Sequence, residues 1–255
     1  MRKTLHAAVL AALSLVLASS PAMRVDLRAQ DALPQASDLL AKSAAAMGGL
    51  DAFKAINSVR ARGTFEMPAQ SLTGDVEIIQ SRPANVRLTI SIQGIGVIET
   101  GSDGKIGWSV DPMSGPSLMQ GKALSEAISE AQFDAAFNGP DYVKEATTLE
   151  KTKFGDRPAY KIKIVTKFDA ESTIYLDAET YYPIGAEKIS ETPMGSVPTT
   201  TSAGEFKKFG AFMQPTVIVQ TAMGFDQIIR VSSYEYNAVA PSAFDLPPAI
   251  KALIK

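Results

Sequence analysis

The alternation of apolar and polar residues from Val59 onward constrains the fold of this chain more than any other feature. In residues 59–67 every second residue is apolar or glycine, and the same period of two returns along most of the remaining sequence. This period predicts β-strands with one buried face. Turn residues separate the segments, and short connections join antiparallel strands. The predicted strands centre on 59–67, 76–78, 86–92, 106–110, 147–153, 160–164, 174–176, 184–190, 204–209, 217–219 and 228–236.

Two helical segments are predicted to cover the apolar face of this sheet. Residues 37–47 carry apolar side chains at helical spacing and end at Gly48-Gly49, and residues 121–138 show the same spacing. A large sheet usually curls into a barrel or half-barrel, and its apolar face needs a cover. The predicted fold class is mainly β with α: an open, half-closed antiparallel β-barrel of about 11 strands covered by a helical lid.

The first 22 residues have the pattern of a secretory signal peptide. Two basic residues precede an apolar run at 7–17, which is too short to span a bilayer, and small residues at 20 and 22 favour cleavage after Ala22. Cleavage after Ala29 and an uncleaved N-terminal anchor are the alternatives. No later stretch reaches about 18 apolar residues, so we expect a soluble, exported protein.

The rest of the chain is predicted to form one domain. Residues 23–35 are expected to be a flexible N-terminal segment, and residues 36–255 a single domain. The sequence contains no cysteine, so no disulfide contributes to its stability. The chain holds 25 basic and 27 acidic residues, and no basic cluster stands out, so we expect no nucleic-acid partner.

Composition also excludes most catalytic chemistry. The single histidine is His6, inside the predicted signal peptide, so the mature chain would lack both histidine and cysteine. This absence excludes Ser-His-Asp and Cys-His catalysis and the usual zinc ligands. We predict no catalytic residues, no metal site and no cofactor. A hydrolase that uses carboxylates, Ser, Lys or Tyr stays open, although the acidic residues at 169–179 fall at turns between predicted strands.

The apolar positions of the strands and of the second helix are predicted to line a hydrophobic cavity. Trp108, the only tryptophan, alternates with Ile106 and Val110 and is interpreted either as a core aromatic or as a cavity wall. The predicted cavity-lining residues are Phe65, Met67, Val76, Ile78, Leu88, Ile90, Ile92, Trp108, Val110, Leu124, Ile128, Tyr160, Ile162 and Ile164.

Several motifs resemble one family in order and spacing. Residues 103–112, Asp-Gly-Lys-Ile-Gly-Trp-Ser-Val-Asp-Pro, resemble the Asp-Gly-Lys-x-x-Trp-x-x-Asn/Asp-Pro segment of periplasmic outer-membrane lipoprotein carriers of the LolA type. Residues 81–85, Ser-Arg-Pro-Ala-Asn, resemble that family's Lys-Arg-Pro-Asn segment, and 244–248, Phe-Asp-Leu-Pro-Pro, its Phe-x-x-Pro-Pro. Residues 45–54 and 175–184 look like the broader lipoprotein-sorting group. The chain is longer than these carriers and differs from them in its N-terminal helix.

The resemblance implies a periplasmic carrier that holds the acyl chains of a lipid or lipoprotein in a half-barrel. Arg82 matches the family's lid-locking arginine, so it is expected to bind lid carbonyls or a lid carboxylate. The implied partners are acyl chains and a membrane donor or acceptor protein, and the carrier is expected to be a monomer. The alternative is a non-catalytic sensor or accessory protein on the same fold that binds a protein partner, for example a peptidase-associated one.

Overall fold

The computed structural model of the protein describes residues 32–192 and 195–254. From Leu33 onward these residues form one compact unit. The predicted signal peptide, residues 1–22, and most of the predicted flexible segment lie outside the described residues. In the described part of the chain, no helix is both long and apolar enough to span a membrane.

The described residues form thirteen strands in one antiparallel sheet that does not close. The strands are β1 (Ser58–Met67), β2 (Leu72–Ser81), β3 (Asn85–Ile92), β4 (Gly96–Ser102), β5 (Gly107–Asp111), β6 (Gly115–Leu118), β7 (Val143–Phe154), β8 (Arg157–Thr166), β9 (Glu171–Asp177), β10 (Pro183–Thr192), β11 (Gly195–Phe209), β12 (Phe212–Ala222) and β13 (Phe225–Tyr236). Their order across the sheet is β6-β5-β4-β3-β2-β1-β13-β12-β11-β10-β9-β8-β7.

The expected count of eleven strands was wrong, because β4 and β6 were missed. In β4, Gly-Val-Ile-Glu-Thr-Gly-Ser, glycines and polar residues obscure the period of two. In β6 the second residue is Pro116, which cannot donate to a strand ladder and is tolerated at a sheet edge. β6 forms one of the two edges of the sheet, where it pairs with β5.

The sheet consists of two meanders joined at a central seam between β1 and β13. Every other pairing among the described strands joins strands that are consecutive in sequence. The seam has a bulge between Arg62 and Gly63. A Cβ atom on Gly63 would lie 1.9 Å from the carbonyl oxygen of Arg230, so only glycine fits this point. The strands β6 and β7, which are consecutive in sequence, lie at the two opposite edges of the sheet.

The helices lie between strands and at both ends of the described chain. They are α1 (Ala36–Ala46), α2 (Leu50–Lys54), α3 (Gly121–Ala131) and α4 (Pro248–Lys251). Two 3₁₀ helices are also named here. Phe133–Phe137 is called the 3₁₀ helix below, and Pro241–Phe244 lies in the C-terminal tail. The predicted helix at 121–138 is interrupted at Gln132, whose extended backbone, with ψ of 120°, ends α3. The segment from α3 to Phe137 connects one sheet edge to the other.

One face of the sheet packs against α1 and α2, and we call it the inner face. Leu39 and Leu40 of α1 pack on Ile162, Ile174 and Leu176 of β8 and β9. A second cluster joins aromatic residues of α2, the 3₁₀ helix and β12: Phe53 stacks on Phe133, with ring centroids 5.0 Å apart, and both lie near Phe137 and Phe212. These clusters hold α1, α2 and the 3₁₀ helix against the sheet.

The C-terminal tail covers part of the opposite, outer face. Its helix α4 packs against β5 and β6, and Ile250 of α4 is fully buried. The guanidinium of Arg87 in β3 donates to the carbonyl oxygen of Asp245 at 2.6 Å, and its carbon lies 5.3 Å from the Trp108 ring centroid. The tail therefore gives this region of the outer face a core of its own.

Candidate functional site

A cluster of apolar side chains on the inner face contains strand residues alone. Phe65, Val76, Ile90 and Ile92 are buried in it. Half-buried neighbours complete the set: Met67, Leu72, Ile78, Leu88, Ile98 and Ile229. We call these ten residues the strand cluster. Unlike the two clusters described above, it takes no residue from a helix.

The register places this cluster on the same face as α1. Directly paired residues share a face of a sheet. Phe65 pairs with Ile229, which pairs with Ile218, which pairs with Ala203. Two residues before Ala203, Thr201 pairs with Ala186, which pairs with Ile174 beneath α1. The strand cluster and α1 therefore lie on one continuous inner face.

The structure divides the predicted cavity residues into four groups. Seven belong to the strand cluster: Phe65, Met67, Val76, Ile78, Leu88, Ile90 and Ile92. Tyr160, Ile162 and Ile164 pack with α1 instead. Leu124 and Ile128 are half-buried on α3. Trp108 and Val110 belong to the fourth group, on the outer face.

Trp108 does not share a surface with the strand cluster. It pairs with Gly101, which pairs with Arg87, whereas the inner-face residues of the same strands are Thr100 and Leu88. Trp108 is 2% exposed, close to Arg87 and to the tail. Val110 has the same parity in β5 and pairs with Glu99 on that outer face. Both residues thus lie on the side of the sheet away from the strand cluster.

Helix α3 contacts both halves of the sheet, with different chemistry on each side. Towards β5 the helix and the residues before it approach closely, because Gly107 has no side chain. A Cβ on Gly107 would lie 2.8 Å from the sulfur of Met119, which precedes α3, and 3.1 Å from the Cβ of Ala127. Towards β10 the contacts are polar and charged. Lys122 pairs with Glu191 at 2.5 Å, and Lys188 pairs with Glu130.

Hydrogen bonds extend the polar contact between α3 and β10. The backbone N–H of Glu191 donates to Glu126 Oε2 at 3.1 Å, and the Ser196 hydroxyl donates to Glu191 at 2.7 Å. Hydrogen bonds from Lys122 and Ser196 lower the pKa of Glu191, and its bond to Lys122 raises the pKa of that lysine. Both groups therefore stay ionised over the neutral range.

Two cavities border the inner-face helices. One, of about 730 Å³, lies between α1 and the edge strand β7 and is mostly apolar, with Leu40, Leu50, Phe137 and Val143 in its wall. The other, of about 660 Å³, lies beside α3 and reaches Tyr142 and Ala186. Both volumes fall within the range of small-molecule sites.

The cavity beside α3 contains the hydroxyl groups of the buried Ser129 and Thr166 and of the half-buried Tyr142. The oxygens of Ser129 and Tyr142 lie 3.2 Å apart, and Ser129 Oγ is 3.5 Å from Thr166 Oγ1. Burial raises the pKa of Tyr142, so its phenol is neutral. Ser129 is thus bonded to both the phenol of Tyr142 and the hydroxyl group of Thr166. Within the described residues, no group of three His, Cys, Asp or Glu side chains could hold a metal ion.

Arg82 connects β2 to two helical segments. Its guanidinium donates to both carboxylate oxygens of Asp134, at 2.7 and 2.8 Å, and to the carbonyl oxygens of Ile56, at 2.8 Å, and Phe53, at 3.3 Å. Its carbon also lies 4.9 Å from the ring centroid of Phe133. One side chain thus contacts the end of α2 and the 3₁₀ helix after α3.

The sequence pattern does not reveal these partners of Arg82. Asp134 stands 52 residues away in the sequence, in a segment predicted as continuous helix. Phe53 and Phe133 were not singled out either. The apolar spacing of Phe133 and Phe137, directly after the last helical position, is the signal that indicates a buried segment there.

No family model matches this sequence, and no curated protein matches it. Solved structures do match. A LolA superfamily protein from Nitrosomonas europaea is 15% identical, with a TM-score of 0.56, and the match covers 84% of this chain and 99% of that one. A putative outer membrane lipoprotein-sorting protein domain from Vibrio parahaemolyticus is 12% identical, with a TM-score of 0.51 and coverage of 82% and 95%.

A third structure, of a DUF1329 family protein from Desulfovibrio piger, has a TM-score of 0.56 at 11% identity, over 84% of this chain and 97% of that one. At such identities the similarity concerns the fold. It agrees with the resemblance seen in residues 81–85 and 103–112. The chain has the fold of the LolA superfamily and lipoprotein-sorting structures.

Proposed function

We propose that this protein binds acyl chains of a lipid or lipoprotein on its inner face and carries them through the periplasm. The observation that carries this proposal is the strand cluster, ten apolar residues on one face of an open sheet with no helix residue among them. Four of these residues are buried and six are half-buried, and an acyl chain lying along the half-buried ones would remove their remaining apolar surface from water. An acyl chain matches it, because the cluster contains no polar side chain.

Burial of an acyl chain supplies enough free energy for binding. Each buried methylene contributes about 0.8 kcal/mol, so a chain of about 14 carbons contributes on the order of 10 kcal/mol before ordering costs. A carrier must also release its ligand. If the cover must open before the ligand binds, the free energy of opening offsets part of the free energy of burial. The apparent affinity is then weaker, which favours release.

In this proposal helical segments form the cover, and two groups of contacts hold them to the sheet. The charged pairs Lys122–Glu191 and Lys188–Glu130 hold α3 to β10, and Arg82 holds α2 and the 3₁₀ helix to β2. In this proposal Arg82 is the lid-locking residue, and α3 with the 3₁₀ helix is the lid. The remaining predicted features, a signal peptide at 1–22, periplasmic location, a membrane donor or acceptor and a monomeric state, belong to the same proposal.

Two neighbouring isoleucines of β13 provide a matched test. Ile229 belongs to the strand cluster, whereas Ile228, also half-buried, pairs with Val219 and lies on the other face. We expect Ile229→Gln to weaken binding of a dansyl-labelled fatty acid by about tenfold or more, because a polar amide replaces apolar contact surface. Ile228→Gln should leave the affinity within about twofold.

Fluorescence titration measures both affinities, and native mass spectrometry of the purified protein tests for bound lipid. Equal loss of affinity in the two variants would contradict binding on the inner face. Failure of the unmodified protein to bind any fatty-acid probe would refute the proposed function.

A further inference from the structure

We propose that four hairpin tips at one end of the sheet form a docking surface for a lipid bilayer without net charge. The tips are residues 68–71, 93–96, 112–115 and 223–225, and we call them the rim. They connect β1 to β2, β3 to β4, β5 to β6 and β12 to β13. These eight strands are contiguous in the sheet, so the four tips are neighbours at the same end.

The pairing register confirms that the tips lie together. Gly74 near the first tip pairs with Ile92 beside the second, and Ile92 pairs with Gly96. A Cβ on Gly96 would lie 3.0 Å from the ring of Pro112 in the third tip. Across the seam, Glu66 pairs with Ile228, which places the fourth tip beside the first.

The rim carries no charge and presents large apolar side chains, beside the polar residues Gln70, Ser71, Gln93 and Ser114. None of its residues is Lys, Arg, Asp or Glu. Met113 is 90% exposed, Met223 54%, Phe225 45% and Ile95 38%. At the other end of the same strands, the turns after β2 and β4 contain Arg82, Asp103 and Lys105. Four exposed large apolar side chains on uncharged turns, opposite charged turns at the other end, indicate a surface that is covered in use.

The backbone of Met223 supports the same interpretation. Met223 and Gly224 form a two-residue turn with φ values of 52° and 79°. Turns of this kind favour Asn-Gly or Asp-Gly, because an L-residue with a longer side chain is strained at a positive φ. Turn geometry therefore does not account for methionine here. A flexible, exposed thioether side chain is instead suited to insertion among lipid chains.

Charge selects the kind of bilayer. The charged residues closest in sequence to the third and fourth tips are acidic, Asp111 and Asp226. Backbone N–H groups of Ser114 and Met113 lower the pKa of Asp111, so it stays ionised. Anionic lipids attract basic segments, and the rim contains none. Docking should therefore depend on apolar insertion, with little dependence on salt.

Docking at the rim would place the strand cluster next to lipid. Met67 directly precedes the first tip, and Ile92 and Ile98 flank the second. An acyl chain could then pass from bilayer to inner face without crossing water. This last step rests on the proposed acyl binding, whereas the docking surface itself does not.

The test is flotation of the purified protein with phosphatidylcholine vesicles. The rim variant combines Ile95→Ser, Met113→Ser and Phe225→Ser. The control variant combines Leu149→Ser, Leu253→Ser and Ile254→Ser, whose side chains are 42–46% exposed but lie outside the rim. We expect the rim variant to lose at least about tenfold in vesicle partitioning, and the control to stay within about twofold of the unmodified protein.

Four outcomes would overturn the docking surface: no binding of the unmodified protein to phosphatidylcholine, equal loss in both variants, binding restricted to anionic vesicles and abolished by salt, or a rim that mediates self-association by analytical ultracentrifugation. Affinity for the dansyl-labelled fatty acid separates this proposal from the previous one. The rim variant should retain it, because none of its three residues belongs to the strand cluster.

Discussion

Replacing Arg82 by leucine should loosen α2 and the 3₁₀ helix Phe133–Phe137 without unfolding the sheet. The substitution removes the donors to Asp134, Ile56 and Phe53 while keeping an apolar side chain against Phe53 and Phe133. The two carbonyl groups lose their guanidinium donor, and the carboxylate loses its counter-charge. Leucine offers no donor to replace them.

The magnitude follows from the exposure of each partner. The side chain of Asp134 is 43% exposed and that of Arg82 25%, so the ion pair is screened and contributes at most about 1 kcal/mol. A charged donor to a carbonyl group contributes about 1.5–3 kcal/mol when its loss leaves the acceptor unpaired. This applies to Ile56 alone, because the Phe53 carbonyl also accepts from the backbone N–H of Ile56 at 3.0 Å. We expect the free energy of local opening to fall by about 2–3 kcal/mol, equivalent to a roughly 30- to 150-fold change in the opening equilibrium.

Hydrogen exchange measures this opening directly, because exchange of protected amides follows the local opening free energy. Amides of residues 50–56 and 133–137 should exchange faster by that factor, whereas amides of β8 and β9 should not change. Arg87→Leu is the matched control, since Arg87 bonds to the C-terminal tail at Asp245. If Arg82→Leu left exchange at 50–56 and 133–137 unchanged, or loosened the whole sheet equally, the assigned role would be incorrect.

Two further predictions concern other parts of the molecule. The fluorescence emission of Trp108 should shift to longer wavelength in the variant Ile250→Gln, because α4 packs against β5. The same emission should not change when an unlabelled fatty acid binds. A shift on fatty-acid binding would contradict the outer-face position of Trp108. Burial raises the pKa of Asp177, but hydrogen bonds from Thr180 and Glu179 and the charge of Arg157 outweigh it, so the pKa lies below the usual 3.8. The stabilisation from this carboxylate is present above about pH 4 and is lost as the pH falls. Urea unfolding should show Asp177→Asn less stable than the unmodified protein at pH 7, with the difference shrinking towards pH 3; a constant difference would refute this.

The strands could be predicted because their residues alternate where one face is buried and the other is wet. The helix α1, predicted at 37–47 and found at Ala36–Ala46, follows from equally local spacing. β4 and β6 escaped prediction because Gly101 and Pro116 interrupt the alternating pattern. These strands form by hydrogen bonding to β3 and β5, which their own sequences do not indicate. Pairing across a sheet is not encoded in a single segment.

The side of the sheet on which a residue lies could not be read from the period of two. Alternation fixes parity within one strand but not between strands, so Trp108 and Phe65 both looked inward. The tail, which ends more than a hundred residues after Trp108, gives the outer face a second apolar region and reverses that interpretation. The partners of Arg82 are similarly distant in sequence, and local pattern carries no information on them.

The central seam has a consequence for how the chain reaches this fold. Every other strand pair joins strands that follow each other in the sequence. The seam instead joins residues such as Ser232 and Arg62, which hydrogen-bond although they lie 170 residues apart in the sequence. The entropic cost of loop closure grows with the length enclosed, so the seam is the most expensive pairing to form. A slip of register there would turn every apolar residue of one half towards water. The close approach at Gly63 and the ion pairs Arg62–Glu235 and Arg230–Glu66 favour one alignment of the two halves and so oppose such a slip.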